Sequence, residues 1–263
     1  MKIWTVSNQK GGVGKTTTVV GLAGILSDLG QRVLMVDMDP HGSLSCYFGY
    51  SPDDELESVY DLFEAHYQKQ KLLPSQVIRK TNFQHLDLMT SATALITIEK
   101  KMGIKDGMGR VLQRALLEIK DDYDFVLIDT PPQLGVLLIN ALAASDHLLI
   151  PVQTEFLAIK GLERMMNTLK MLTSSLGYHL AYSVVPTMYD RRTHASVESL
   201  RLLRQTYAET IWPSFIPIDT KFRDASQAGV PPAQYHANAR GVRGYRVLLK
   251  YLLAANNAPA VVK

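Results

Sequence analysis

Short apolar runs alternate with longer amphipathic stretches along the whole chain, the pattern of repeated strand–helix–strand units. It predicts an α/β fold with a mostly parallel central sheet and helices on both faces. Lys2 to Ser7 predicts the first strand, rich in Ile, Trp and Val, and a glycine-rich loop follows it. A helix is expected from Thr16 to about Leu29, because Val19, Ala23 and Leu26 recur on one face and Gly30 supplies a natural stop. Arg32 to Asp37 is apolar on both faces, as a buried parallel strand would be. Between about 42 and 105 the pattern is less regular, with a helix at Ser58–Tyr67, a short strand at His85–Met89 and a further helical stretch. Gly109–Lys120 reads as an amphipathic helix, and Tyr123–Asp129 and His147–Val152 as central strands. Long helices are expected at about Ala158–Leu176 and Ala195–Thr206, with a strand at Ala181–Val185 between them. A short strand around Phe215–Ile218 and a last helix from about Val242 to Ala255 follow.

Composition narrows the class without choosing a function. The 263 residues are 46% apolar and 20% charged, enough for one large domain spanning 1–263 with a frayed tail at 256–263. No repeat or low-complexity linker marks an internal boundary. The net charge of +3 is small, so any surface for nucleic acid or anionic lipid must be a local patch. The single cysteine, Cys46, rules out an internal disulfide and any several-thiolate metal site within one chain. It suits a reducing cytoplasm and is expected to be a small buried or half-buried filler. The opening MKIWTVSNQKGG has too short an apolar stretch for a secretory leader, and no run approaches the ~20 residues of a membrane span. A soluble, cytoplasmic protein is expected.

The chemistry starts at residues 8–18, NQKGGVGKTTT, after a strand and at the opening of a helix. A loop whose backbone N–H groups curl around a phosphate needs glycines where a Cβ would intrude, and Gly11, Gly12 and Gly14 supply them. Lys15 offers a point charge to the β- and γ-phosphates, Thr16 a hydroxyl ligand for Mg²⁺, and the helix its positive end. The arrangement resembles the phosphate loop of P-loop NTPases. Position 9 departs from the general pattern: it is Gln9 rather than glycine, and a second lysine, Lys10, precedes the glycine pair.

Carboxylates fall where such a site needs them. Strand ends in a parallel sheet face the ligand, and the second predicted strand ends in VDMDPHGSL. Asp37 and Asp39 lie two apart and share a side in an extended segment. The strand Phe125–Ile128 delivers Asp129 in IDTPPQLG, the arrangement that holds Mg²⁺ through water. A loop stiffened by Pro131 and Pro132 then runs to Gly135.

KGGVGKTTT is the deviant Walker A motif, and the chain resembles the ParA/MinD group of P-loop ATPases, most closely its ParA/Soj branch. The resemblance spans nearly the whole chain. It implies that Lys10 crosses a face-to-face dimer to the phosphates of the partner's ATP, making hydrolysis depend on pairing. It also implies nucleotide contacts from Lys10, Gly11, Gly12, Val13, Gly14, Lys15, Thr16 and Thr17. Asp39 would orient the attacking water, and Asp37 would support the water shell of a Mg²⁺ held with Thr16 and Asp129. Lys10, Lys15 and Asp39 are thus the expected catalytic set. Relatives usually carry Gln where this chain has His41, which is expected to be a solvent-facing or hydrogen-bonded loop histidine.

The guanine-reading N/T-K-x-D element is missing, since TKFR at 220–223 lacks the final aspartate, and ATP is the expected nucleotide. The resemblance places 184–193 and 216–225 around the adenine, with Pro217 and Asp219 as contacts. Those segments also carry Arg191, Arg192, Lys221 and Arg223, and the last helix adds Arg240, Arg243, Arg246 and Lys250. Arg243, Arg246 and Lys250 share a helix face, and no acidic residue follows Asp224. In ParA-like proteins such a surface binds DNA without sequence preference, which implies contacts from Arg191, Arg223, Arg240, Arg243, Arg246 and Lys250.

The function implied is an ATP-dependent dimerisation switch, slow until a hydrolysis-stimulating or cargo-adaptor protein arrives, associated with the nucleoid or a cell pole. The segments TEFLAIKGLERM, VPTMYDRRT and DTKFRDAS most resemble the ParC branch, which positions chemoreceptor arrays; chromosome or plasmid partition uses the same machine. A small-molecule synthetase of the same fold is the alternative from another class. One cysteine per chain argues against an iron–sulfur electron donor. Nothing after Tyr251 forms a tyrosine cluster, and NNAPAVVK lacks the basic amphipathic helix of a MinD-like membrane anchor. No helix-turn-helix precedes the P-loop, which gives no support for binding a specific operator.

Overall fold

The structure, a computed structural model, describes residues 1–98, 107–176 and 180–255. Seven strands form one sheet in the order β3-β4-β2-β5-β1-β6-β7. They are β1 (Lys2–Val6), β2 (Val33–Asp37), β3 (Ile78–Lys80), β4 (Leu86–Met89), β5 (Phe125–Asp129), β6 (His147–Gln153) and β7 (Ala181–Thr187). All neighbours pair in parallel except β3, a three-residue edge strand antiparallel to β4. In the centre, β5 lies between β1 and β2, so Val6 and Asp37 are both register partners of Asp129. The strands that lead into the phosphate loop and that carry Asp37 and Asp129 at their ends therefore finish side by side.

Alternation along the strands divides the core between the two faces. On one side Val33, Met35, Leu127 and Leu149 pack against helix α1 (Lys15–Asp28) and the last helix, α10 (Arg240–Ala255). Every residue of α1 from Thr18 to Ser27 is buried, because α10 and the short α9 (Pro232–Tyr235) cover its outer side. On the opposite face Leu34, Val36, Val126 and Ile128 meet α3 (Val59–Gln68), α4 (Val111–Glu118) and α5 (Val136–Ala144). The long α6 (Phe156–Leu176) and α7 (His194–Thr206) cover β6 and β7. Two more helices, α2 (Ser43–Tyr47) and α8 (Lys221–Ala228), flank the carboxyl end of the sheet. Among the described residues no helix is long and apolar enough to cross a membrane.

The α/β layers follow the sequence pattern, with local differences that have physical causes. The fourth strand starts at Leu86 rather than His85, because His85 takes a left-handed turn (φ 62°) before pairing begins. The strand expected at Phe215–Ile218 is a single bridge between Tyr189 and Pro217; a proline has no N–H to continue a ladder. Helices α2, α5, α8 and α9 and strand β3 were not anticipated. Cys46 is exposed rather than a buried filler. The helical stretch expected near residue 105 falls partly, and the tail 256–263 wholly, outside the described residues.

Candidate nucleotide site

The phosphate loop joins β1 to α1 and is fastened on both flanks. Asn8 is fully buried; its amide donates to the Pro151 carbonyl at 2.8 Å and its Oδ1 accepts the Lys10 N–H at 3.0 Å. Gln9, where the general pattern has glycine, reaches Thr168 Oγ1 on α6 at 3.2 Å. Thr187 at the end of β7 donates to the Val13 carbonyl at 2.8 Å. Gly12 (φ 74°) and Gly14 (φ 93°) occupy left-handed conformations that an L side chain would strain, and Gly11 and Gly12 are exposed at the mouth. Such a loop presents N–H groups to an anion at the start of a well-formed helix. The two lysines part company. Lys15 lies close enough to Asp129 to stabilise its charge, whereas the Lys10 ammonium is ion-paired with Glu155 at the start of α6.

Asp129 and Thr16 meet beneath the loop, with Thr16 Oγ1 donating to Asp129 Oδ2 at 2.6 Å. The other oxygen of Asp129 is buried and has no partner. Asp37 is fully buried; its Oδ2 accepts from Ser45 N at 2.7 Å and Ser45 Oγ at 2.8 Å, and its Oδ1 accepts from Asp39 N at 3.1 Å. Burial raises the pKa of both carboxyls, and for Asp129 the neighbouring Asp37 adds to the rise. Two desolvated carboxylates, one with an orphaned oxygen, make a site deficient in positive charge. A hard divalent cation suits that oxygen-only donor set. Among the described residues no group of three or more His, Cys, Asp or Glu side chains is placed to hold a metal ion by itself. Asp39 is half-buried; its Oδ1 accepts the His41 N–H at 3.0 Å and its carbonyl accepts from Ser91 Oγ at 2.5 Å. His41 itself is exposed.

A family model described as an AAA domain matches residues 1–182. The sporulation initiation inhibitor protein Soj of Bacillus subtilis is 34% identical over 254 residues, covering 96% of this chain and 98% of Soj. The chromosome partitioning protein ParA of Caulobacter vibrioides is 32% identical over 257 residues, covering 97% of this chain and 94% of ParA. The chain belongs to the Soj/ParA family of P-loop ATPases. Cobyrinic acid a,c-diamide synthase from Mycobacterium smegmatis, solved with a bound ATP analog and magnesium, superposes with a TM-score of 0.84 at 30% identity, covering 98% of this chain and 96% of that one. The McdA–ATP complex of Cyanothece superposes at 0.81 with 18% identity over 100% and 99% of the two chains, a likeness of fold.

In this Soj/ParA chain the two segments expected around the base lie together, joined by the Tyr189–Pro217 bridge and by Tyr189 against Phe215 with ring centroids 4.2 Å apart. Pro217 and Asp219 are half-buried there. Asp219 already serves the backbone: Oδ1 accepts Lys221 N at 3.1 Å and Oδ2 accepts Gly241 N at 2.9 Å. Arg240 stands close enough to Asp190 to lower its pKa, which places the start of α10 beside the 190–192 loop. Two cations of the expected patch are neutralised locally, Arg192 by Asp190 and Lys221 by Asp224. Arg191, Arg223, Arg240, Arg243 and Lys250 are exposed and have no ion-pair partner among the described residues. Arg246 is half-buried and donates to the Ala237 carbonyl at 2.9 Å. Sequence reasoning missed Asn8, Ser45 and Glu155. Each acts on a residue eight or more positions away, and no local spacing announces such contacts.

Proposed function

We propose that the protein is an ATP-dependent dimerisation switch that positions or segregates a cellular cargo. The observation that carries this is the separation of the two lysines. Lys15 stands beside Asp129 at the helix start, while Lys10 is held away at α6 by Glu155. A cation parked at the rim of its own site is free to serve a triphosphate on a facing subunit. The nucleotide is ATP, wrapped by Lys10–Thr17 and flanked on its base side by Pro217 and Asp219. Thr16, Asp37 and Asp129 would hold Mg²⁺, directly or through its waters, and the ion when bound offsets phosphate charge. Asp37 also fixes the backbone of Asp39, whose carboxylate would orient the attacking water. Lys10 from the partner would neutralise charge developing on the transferred phosphoryl, in the manner of an arginine finger.

Hydrolysis of this kind is slow until a partner protein completes the site. The named relatives Soj and ParA favour chromosome or plasmid partition, with the exposed cations of α10 and the 190–192 loop holding non-specific DNA of the nucleoid. A chemoreceptor array at the pole is the other cargo consistent with the ParC-like segments. The likeness to the diamide synthase carries a second reading, a small-molecule synthetase. That reading requires turnover to rise with a small acid substrate.

Two variants test the switch. Lys15→Ala should abolish nucleotide binding, measured by titration with a fluorescent ATP analogue. Lys10→Gln should spare most of that binding yet remove the part of the ATPase rate that grows with protein concentration. Normal, concentration-dependent turnover by the Lys10 variant would overturn the switch.

A further inference from the structure

Helix α10 has two unlike sides. One bears the exposed Arg243 and Lys250, and the other touches α1 and the base-side segment. Tyr245 is 1% exposed, and its hydroxyl lies 2.9 Å from Thr18 Oγ1. Thr18 donates its one hydroxyl proton to the Gly14 carbonyl at 2.7 Å, so the Tyr245 hydroxyl is the donor to Thr18. A continuous chain thus runs from α10 through α1 to the peptide immediately before Lys15. The sequence makes room for it: a Cβ on Gly21, one turn beyond Thr18, would come within 3.0 Å of the Tyr245 ring. Phe222 of α8 packs edge-on against the same ring, centroids 5.7 Å apart. The second tie is Asp219, which accepts the Gly241 N–H of α10 at 2.9 Å from the base-side segment.

A buried phenol deprived of its partner is costly, so Tyr245 has to follow Thr18, and Thr18 the Gly14 peptide. Phosphate binding acts on that peptide, because its N–H, that of Lys15, is part of the cradle at the helix start. We propose that Tyr245 is a positioning residue that transmits nucleotide occupancy from the phosphate loop to the cationic face of α10. The inference rests on the nucleotide and DNA reading given above, and it adds to pairing a path of coupling within one subunit. DNA affinity changes with nucleotide because the helix that bears the cations is hydrogen-bonded to the loop that binds the phosphates. A ligand can shift α10 only as far as its contacts differ between two states, and this chain of hydroxyls is the contact that would have to differ.

Amide hydrogen exchange on the full chain, with and without Mg-ATP, reads the coupling directly. In the wild type, ATP should protect both the loop at 10–18 and the helix at 240–255. Tyr245→Phe keeps the ring and removes the donor. It should leave loop protection in place while the ATP-induced protection of 240–255 falls about fivefold, the change in an equilibrium expected for one neutral hydrogen bond. Thr18→Ser should behave as wild type, and Thr18→Val as Tyr245→Phe. The proposal is overturned if Tyr245→Phe retains full ATP-induced protection of 240–255, or if its loss is equal with and without ATP, the mark of a merely structural role. Wild-type protein that shows loop protection but retains no DNA would remove the DNA reading and leave the coupling standing. Absence of loop protection in the wild type would overturn both.

Discussion

His147 opens β6 almost fully buried, with Nε2 2.9 Å from Ser183 Oγ and Nδ1 without a partner. Burial pushes its pKa down to about 4, because the imidazolium would lose its water. The folded state therefore binds this proton less readily than the unfolded chain, whose histidine titrates near ~6.5. Its contribution to stability is complete above that value and is lost as pH falls toward the folded pKa. Between pH 7.5 and pH 5 the loss should be on the order of 2 kcal/mol. Urea melts at the two pH values should show that much less pH dependence in His147→Gln than in the wild type, and parallel losses in both would refute the assignment. At the rim, the Lys10–Glu155 pair matters differently. Both side chains are part-exposed, 29% and 39%, so the pair holds the lysine by no more than about 1 kcal/mol. That is a weak restraint against a partner's triphosphate, as a switch requires.

At the scale of elements, α10 meets the rest of the fold through closely packed glycines. A Cβ on Gly241 would lie 1.9 Å from the Phe222 ring. The ring cannot withdraw freely, because it also packs on Tyr245. Gly241→Ala should cost about 1–3 kcal/mol by overpacking and lower Tm by roughly 2–4 °C per kcal/mol. Adding Phe222→Leu should restore part of that loss in calorimetry, and an unchanged Tm for the single variant would contradict the packing. No sequence pattern foretold this contact, whereas the strands and α1 were legible because apolar runs of length and period suited to each element recur along the chain. Helix α5, VLLINALAA, was not, since it has no polar face: its one polar residue, Asn140, is buried and bonds Leu112, Val136 and Met108. Helix α8 was hidden in a segment that the family resemblance had already given to the base. The apolar FIPI run imitated a strand until its proline broke the ladder. The candidate phosphate-loop residues stand out in the sequence because they are contiguous, while Glu155 and Ser45 reach the site only through the folded topology.

For the whole molecule, the arrangement of charge decides more than its sum. A net charge of +3 would not hold DNA, yet Arg191, Arg223, Arg240, Arg243 and Lys250, exposed and without an ion-pair partner among the described residues, are carried by the 190–192 loop, α8 and α10. Pairing two copies would double such a face, so on the proposed switch affinity for a polyanion should rise steeply with ATP. Asp39→Ala offers a way to hold that state, because removing the carboxylate proposed to orient water should leave ATP bound and unhydrolysed. Light scattering should then show a persistent doubling of mass in Mg-ATP. In that background Arg243→Glu with Lys250→Glu is the better charge reversal, because Arg246 is half-buried and bonds the Ala237 carbonyl. The doubled mass should persist, while DNA retention weakens and its logarithmic dependence on salt flattens by about 2 for two lost phosphate contacts per subunit engaged. Retention with an unchanged salt slope would return these residues to an ordinary solvated face. A monomer under saturating ATP would instead remove Asp39 from its proposed role.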